Sequence, residues 1–136
     1  MPPVRDQLRF FVDESTLGIG KILAIARRDV IHVGHPLLPE VPYGTLDPDW
    51  IPIIASLGLA VISRDRHHRT KPAEVALMRE HGLRVFWIAG KRDLSNWDYN
   101  VRMVNRWHDV EEKLATRGPG PWFIAINERS LVEAAV

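Results

Sequence analysis

Five carboxylates stand at places in the sequence where they could act together on a substrate. Some follow apolar runs at residues 8–12 and 59–63, and the others open a helix-like segment between those runs. The five acids are Asp13, Glu14, Asp47, Asp49 and Asp65. Carboxylates that are brought together repel one another unless a cation neutralises them. Mg²⁺ prefers oxygen ligands, and it can activate water and offset the charge of a phosphodiester transition state.

A basic run surrounds the last of these acids. Residues 63–71 read Ser-Arg-Asp-Arg-His-His-Arg-Thr-Lys, so that four Lys or Arg and two His surround Asp65. A charge run of this kind is typical of a solvated loop when it stands alone. Beside a group of carboxylates, Arg64, Arg66 and Arg69 suit contacts with nucleic-acid phosphates.

The segments that must position these residues alternate between strand-like and helix-like patterns. Apolar runs predict strands at residues 8–12, 30–33, 59–63, 84–89 and 122–126. Helical spacing and end signals predict helices at residues 17–28, 47–57, 72–81 and 95–117. Asp47 is expected to cap the second helix, because Asp accepts unpaired amide hydrogens and Pro48 suits the first turn. In the last helix, the apolar stripe that is expected to face the core consists of Trp97, Val101, Val104, Trp107 or His108, Val110 and Leu114.

This alternation predicts a three-layer α/β/α sandwich with a mainly parallel sheet, built as a single domain over residues 1–136. Ligands of open parallel sheets bind beyond the carboxyl ends of the strands. Asp13 and Asp65 follow the first and third predicted strands, and they are therefore expected to meet at one edge of the sheet. The sequence predicts a divalent metal site at that edge.

The composition narrows the classes of function. Lys and Arg number 18 against 17 Asp and Glu, a formal net charge of +1, which excludes nucleic-acid binding through bulk charge alone. The absence of cysteine excludes disulfides, thiolate catalysis and Cys-bound zinc. No apolar run reaches the roughly 18 residues that span a membrane, and the N-terminus does not resemble a signal peptide. We therefore expect a cytoplasmic protein.

Two further motifs do not complete a known site. Residues 18–21 (Gly-Ile-Gly-Lys) lack the first spaced Gly and the final Ser or Thr of a phosphate loop. His32 and His35 lie three residues apart in a strand-to-loop stretch, whereas a zinc protease needs its pair on a helix. These motifs predict neither a phosphate loop nor a zinc site.

Three short motifs carry a resemblance to a known family. They are Phe-Phe-Val-Asp-Glu-Ser at residues 10–15, Asp-Pro-Asp-Trp at residues 47–50 and Val-Ile-Ser-Arg-Asp at residues 61–65. In this order they resemble the PIN-like domain, and more closely the small actinobacterial-type PIN-like toxins of VapBC toxin–antitoxin modules. The likeness extends to the later Pro-Ala-Glu helix and the Arg-Val-Phe-Trp-Ile strand, and it covers roughly residues 8–126.

The resemblance implies an endoribonuclease that depends on Mg²⁺ or Mn²⁺ and is held inactive by a cognate antitoxin. Asp13, Asp65 and either Asp47 or Asp49 would be the metal ligands, and Glu14 would be an auxiliary acid. The family pattern includes a fourth acid late in the chain, for which Asp93 and Asp98 are the candidates. Arg64, Arg66 or Arg69 would counter the charge on the phosphoryl oxygens.

Two alternatives remain open from the sequence. A receiver-like signalling domain also places acids after its first and third strands; Asp65 would then accept the phosphoryl group and Lys91 would sense it. Such a domain needs no carboxylate at Asp47 or Asp49, whereas a nuclease does. The other alternative is an inactive PIN-like module that binds RNA or a protein partner. The RNA target, the number of metal ions and the oligomeric state, including a homodimer, are also open.

Overall fold

The sheet that positions these residues is built from short apolar strands. The computed structural model describes residues 3–64, 71–90 and 94–134. Within these ranges the strands are β1 (Phe10–Val12), β2 (Val30–His32), β3 (Ala60–Arg64), β4 (Arg84–Ile88), β5 (Trp122–Ile126) and β6 (Leu131–Glu133). The helices are α1 (Leu17–Ala26), α2 (Asp47–Ser56), α3 (Pro72–Glu80) and α4 (Asn96–Arg117), and the short 3₁₀ turns are Arg5–Gln7 and Glu14–Thr16.

The strands form one sheet in the order β2-β1-β3-β4-β5-β6. Neighbours from β2 to β5 pair in parallel, and Phe10 of β1 lies between Val30 of β2 and Ala60 of β3. The last strand, β6, pairs antiparallel with β5. The predicted mainly parallel α/β/α fold is therefore confirmed.

Helices cover both faces of the sheet, as the apolar strands require. Phe10 and Val12 of β1 pack in one core cluster with α1 and α4. Phe11, between them, points to the opposite face and packs with α2 and α3. Its ring lies 5.1 Å from that of Trp50, which attaches the start of α2 to the sheet. Because successive strand residues alternate between faces, a run that is apolar at every position indicates a sheet buried on both sides.

The predicted apolar stripe of α4 is partly wrong. The helix buries Tyr99, Met103 and Val110, whereas Trp97 is 70% exposed and Val104 is 63% exposed. Positions two apart on a helix lie about 200° apart around its axis, so Trp97 and Tyr99 cannot face the same core. The apolar residues of this segment belong to two stripes, and only the Tyr99 stripe faces the sheet.

Strand β6 was not predicted from the sequence. Leu131–Glu133 is three residues long, and only Leu131 is partly buried, so its apolar signal is weak. Its pairing of Ala125 with Val132 extends the sheet by one edge strand. None of the helices in the described ranges is both long and apolar enough to cross a membrane.

Candidate active site

The strand order places a topological switch between β1 and β3. The chain leaves β1 to form β2 on one side and then returns to form β3 on the other side. In open α/β sheets, ligands bind in the crevice outside the carboxyl ends of the strands at such a point. A cleft of about 590 Å³ lies there in this protein. Its charged lining residues are Asp13, Glu14, Asp47, Arg64, Lys71 and Glu74.

Asp13 is held at the base of the cleft by hydrogen bonds from two serines. It follows β1 and is only 3% exposed. Its Oδ1 accepts hydrogen bonds from the backbone N–H of Ser15 at 3.1 Å and from Ser15 Oγ at 2.5 Å. Its Oδ2 accepts one from Ser63 Oγ at 2.7 Å. A buried carboxylate is costly unless it is hydrogen-bonded, so these contacts fix the acid in its position.

The hydroxyl of Ser15 also connects the ends of β1 and β3. Besides its bond to Asp13, it accepts a hydrogen bond from the backbone N–H of Arg64 at 3.0 Å. Its oxygen lies 3.1 Å from that of Ser63. Neither serine was predicted from the sequence to hold Asp13. The local signal for Ser15 was its place two residues after an Asp, where a side chain commonly accepts from the backbone N–H.

Glu14 joins the cleft from the 3₁₀ turn that follows β1. Its Oε1 accepts a hydrogen bond from the backbone N–H of Gly44, in the long loop before α2. The side chain is exposed and lines the cleft. Glu14 therefore links the loop before α2 to the end of β1.

Asp47 does not cap α2 as the sequence predicted. It is the first residue of the helix, Leu46 occupies the cap position, and no side-chain cap bond forms there. Instead, Asp47 Oδ1 accepts a hydrogen bond from Trp50 Nε1 at 2.8 Å. The carboxylate lies within the first turn, where it reaches the indole three residues ahead rather than the backbone N–H groups. Asp49, also in this turn, is exposed and is not a cleft residue, so the geometry favours Asp47.

A fourth carboxylate of the cleft lies at the start of α3 and was not predicted from the sequence. Glu74 lines the cleft in the first turn of α3, and its side chain is 17% exposed. Its Oε1 lies 3.6 Å from the Nζ of Lys71. The signal available was an acid near the start of the first helix after Asp65. The late candidate Asp98 is exposed near the start of α4 and does not line the cleft.

Positive charge enters the cleft beside these acids. Arg64, at the end of β3, lines it together with Lys71. The guanidinium of Arg64 lies 5.1 Å from the centroid of the Tyr99 ring, a cation–π contact that orients it. Five further predicted residues lie outside the described ranges; they are Asp65, Arg66, Arg69, Lys91 and Asp93.

The chemistry of the cleft acids suits a hard divalent ion, because carboxylates offer only oxygen donors. Asp13 and Asp47 are the described residues that would hold such an ion, together with Asp65. Within residues 3–64, 71–90 and 94–134, no group of three or more His, Asp or Glu side chains is arranged to hold a metal. The Mg²⁺ or Mn²⁺ site therefore stays a prediction.

A comparison with models of known protein families identifies the family of this chain. The family model of the PIN-like domain matches residues 8–90, more than half of the chain. The chain belongs to the PIN-like domain family. The matched segment of this PIN-like protein runs from before β1 to just after β4, and it includes every residue that lines the cleft.

Membership of the PIN-like family confirms the family resemblance at residues 8–90. The PIN-like domain is generally a nuclease fold, so the family favours a nuclease over the receiver-like alternative. The predicted phospho-acceptor Asp65 and sensor Lys91 of that alternative lie outside the described residues. No curated protein and no solved structure matches the chain.

Proposed function

We propose that this PIN-like protein is a divalent-metal-dependent endoribonuclease and the toxin of a type II toxin–antitoxin pair. The observation that carries the proposal is the buried Asp13 carboxylate. It is held between Ser15 and Ser63 at the switch point of the sheet, in a cleft that also contains other acidic side chains and the basic side chains of Arg64 and Lys71. A buried carboxylate beside basic side chains, in a cleft at the switch point of a parallel sheet, is typical of a site that acts on a charged substrate.

The predicted metal ligands and the two serines have separate roles in phosphodiester hydrolysis. Asp13, Asp47 and Asp65 would hold Mg²⁺ or Mn²⁺, which when bound supplies activation of the attacking water and neutralises charge on the phosphate. Ser15 and Ser63 orient the Asp13 carboxylate through their hydroxyls. These fixed bonds keep the acid preorganised for the reaction.

The basic side chains and the helix ends bind the phosphates of the substrate. Arg64 and Lys71 line the cleft beside the acids. The first turns of α2 and α3 also line it, and the N-terminal ends of helices attract anions. Arg66 and Arg69 follow Arg64 in the sequence, and we assign them to the phosphates of the RNA backbone as well.

A cleavage assay with a matched pair of acid variants tests the nuclease. The unmutated protein, purified free of bound partners, should cut a mixed RNA pool with Mg²⁺ and lose this activity in EDTA. Asp13→Asn should abolish cleavage, because an amide lacks the charge that a divalent ion requires. Asp98→Asn, an exposed acid outside the cleft, is the control and should cut at the unmutated rate. Equal cleavage by Asp13→Asn, or cleavage in EDTA, would contradict the proposal.

A binding assay tests the basic residues separately. Replacing Arg66 and Arg69 with Ala should weaken the binding of single-stranded RNA by the Asp13→Asn protein. It should also flatten the dependence on salt, because fewer counterions are released. If the affinity and the salt slope stay unchanged, these residues do not contact phosphate. Binding by an unmutated protein that never cleaves would support the inactive PIN-like module instead.

The toxin role is tested in growing cells. Expression of the unmutated protein should arrest growth, and Asp13→Asn should not. Co-expression of the small protein encoded beside this gene should restore growth and co-purify with the PIN-like protein. Growth that is unaffected by active enzyme would contradict the toxin assignment but not the nuclease.

A further inference from the structure

A second pocket is lined by residues next in sequence to some of those that line the cleft. It has a volume of about 530 Å³, and its lining includes Lys21, His32, His35 and Tyr43. Val33 and Gly44 line the cleft, whereas their neighbours His32 and Tyr43 line this pocket. The two cavities therefore share the segments at the end of β2 and before α2. The second pocket lies on the α1 side of these segments, because Lys21, Ala24 and Ile25 of α1 also line it.

The hydrogen bonds of the two histidines define what their rings offer to a ligand. His32 Nδ1 lies 2.6 Å from the backbone carbonyl of Val33, which can only accept, so His32 carries its proton on Nδ1. His35 Nδ1 accepts a hydrogen bond from the backbone N–H of Leu37 at 3.0 Å, so neutral His35 carries its proton on Nε2. When both rings are neutral, the remaining ring nitrogens thus differ: His32 Nε2 accepts and His35 Nε2 donates.

Partial burial and the neighbouring His32 lower the pKa of His35, which favours the neutral ring at pH 7. The two ring centroids lie 5.1 Å apart, edge to face. A transition metal would need a lone pair from both rings, and this arrangement provides only one. An acceptor beside a donor suits the edge of a nucleobase, where donors and acceptors also stand side by side.

Tyr43 gives the pocket a flat aromatic wall. Its side chain is 53% exposed, and its ring lies nearly parallel to that of His32, with 6.5 Å between centroids. The ring rests directly on Gly34, where an added Cβ would lie 2.5 Å from the ring atoms. The φ of Gly34 is +78°, in the region that favours glycine, so both the backbone conformation and the contact with Tyr43 require glycine at this position. An exposed aromatic ring on a rigid seat is suited to base stacking.

Lys21 supplies a positive charge at the same pocket. Its Nζ lies over the Tyr43 ring, 6.0 Å from the centroid, so a base that stacks on this face displaces the ammonium towards solvent. Lys21 is exposed on α1, so it can reach a phosphate attached to a base that stacks on Tyr43. The pocket thus combines a stacking surface, a donor and acceptor pair and one cation.

We propose that this pocket is a nucleotide subsite, which holds one base of the single-stranded RNA that is cut in the cleft. The subsite rests on the proposed nuclease function for its role, but its binding of a nucleotide is measured without cleavage. Tyr43 stacks on the base, the histidine pair bonds to its edge, and Lys21 contacts its phosphate.

Titration of the full-length protein with small ligands tests the subsite. AMP or UMP, added without divalent metal, should shift the imidazole NMR signals of His32 and His35 and leave those of His108 on α4 unchanged. Ribose 5-phosphate and inorganic phosphate should shift the two histidines much less than the nucleotides, because they carry no base and can contact only Lys21. Shifts as large with phosphate alone would overturn base recognition, and so would the absence of any shift with both nucleotides.

Three variants separate the parts of the pocket. Tyr43→Leu should weaken AMP binding about tenfold, the loss expected for one stacked base, whereas Tyr43→Phe should retain binding within about twofold. Lys21→Met should weaken AMP but not adenosine, since only AMP carries a phosphate. Thermal melting of each variant checks that it is folded. Equal loss in both Tyr43 variants would contradict stacking.

The subsite and the nuclease can fail independently. If the unmutated protein binds AMP at the two histidines but never cuts RNA, the nuclease proposal fails and the subsite stands. If it cuts RNA with Asp13-dependent activity but binds no nucleotide at the histidines, the subsite fails and the nuclease stands.

Discussion

Ser63 Oγ donates a 2.7 Å hydrogen bond to Asp13 Oδ2 and so joins the carboxyl ends of β3 and β1. Ser63 is fully buried, and Asp13 is 3% exposed. The carboxylate at the base of the cleft is therefore positioned by a strand that lies 50 residues further along the chain. The position of Asp13 depends on the correct register of both strands.

Ser63→Ala should lower the free energy of unfolding by about 1–3 kcal/mol, because a buried carboxylate loses a hydrogen-bond donor. RNA cleavage should also decrease, because Asp13 is less well oriented. Urea unfolding and the cleavage assay measure the two effects. Ser56→Ala is the matched control: Ser56 Oγ donates to the carbonyl of Ile53 at an exposed site, and its loss should cost less than about 0.5 kcal/mol. Equal destabilisation by both variants would contradict the role of Ser63.

Asp47→Asn should separate the helix contact from the charge. The Asn side chain keeps an oxygen that can accept from Trp50 Nε1, so the melting temperature should remain close to that of the unmutated protein. Cleavage should nevertheless be lost, because the amide is a poor ligand for Mg²⁺ compared with a carboxylate. Asp49→Asn, in the same turn but outside the cleft, should retain activity. Full activity of Asp47→Asn would remove α2 from the active site.

Divalent metal should stabilise the folded protein. A ligand that binds only the native state raises its stability by mass action, so Mg²⁺ should increase the melting temperature in a concentration-dependent manner. The increase should be absent in Asp13→Asn and retained in Asp98→Asn. A melting temperature that does not respond to Mg²⁺ or Mn²⁺ would be inconsistent with a metal site at Asp13.

Outside the cleft, buried Asp29 and the partly exposed Arg9 and Arg27 form ion pairs. These ion pairs should make the free energy of unfolding depend on pH in acid. Burial alone would raise the pKa of Asp29, but hydrogen bonds from Arg27 and Arg9 outweigh it and lower this pKa. A carboxyl with a lowered pKa stabilises the fold above its unfolded pKa of about 3.9, and this stabilisation is lost as the pH falls through the folded pKa.

Asp29→Asn should therefore lower the free energy of unfolding near pH 7 by about 1–3 kcal/mol. The difference from the unmutated protein should be smaller at an acidic pH below the unfolded pKa of about 3.9, because the stabilisation is lost as the pH falls through the lowered pKa of folded Asp29. Urea unfolding at the two pH values measures it. Asp109→Asn, which breaks an exposed helix pair with Arg106, should cost less than about 1 kcal/mol at either pH. A pH-independent effect of Asp29→Asn would contradict the assigned cause.

The sequence predicted the fold and part of the site because both leave local signals. Apolar runs marked β1 to β5, and the acids after them marked the correct edge of the sheet. The roles of Ser15 and Ser63 could not be predicted, since they depend on which residues the register of β1 and β3 brings together. Glu74 was missed because an acid in the first turn of a helix also serves the helix itself. The stripe of α4 was misread because two apolar stripes overlap in its sequence.

The distance along the chain between Asp13 and Ser63 has a consequence during synthesis on the ribosome. When only β1, α1 and β2 have emerged from the ribosome, the emerged part of the chain contains Asp13 but neither Ser63 nor the backbone N–H of Arg64. Contacts that are distant in sequence form late, after the entropy of closing the intervening loop has been overcome. The support of Asp13 is therefore completed only when β3 docks beside β1, and a truncated product that ends before residue 60 lacks both of these groups.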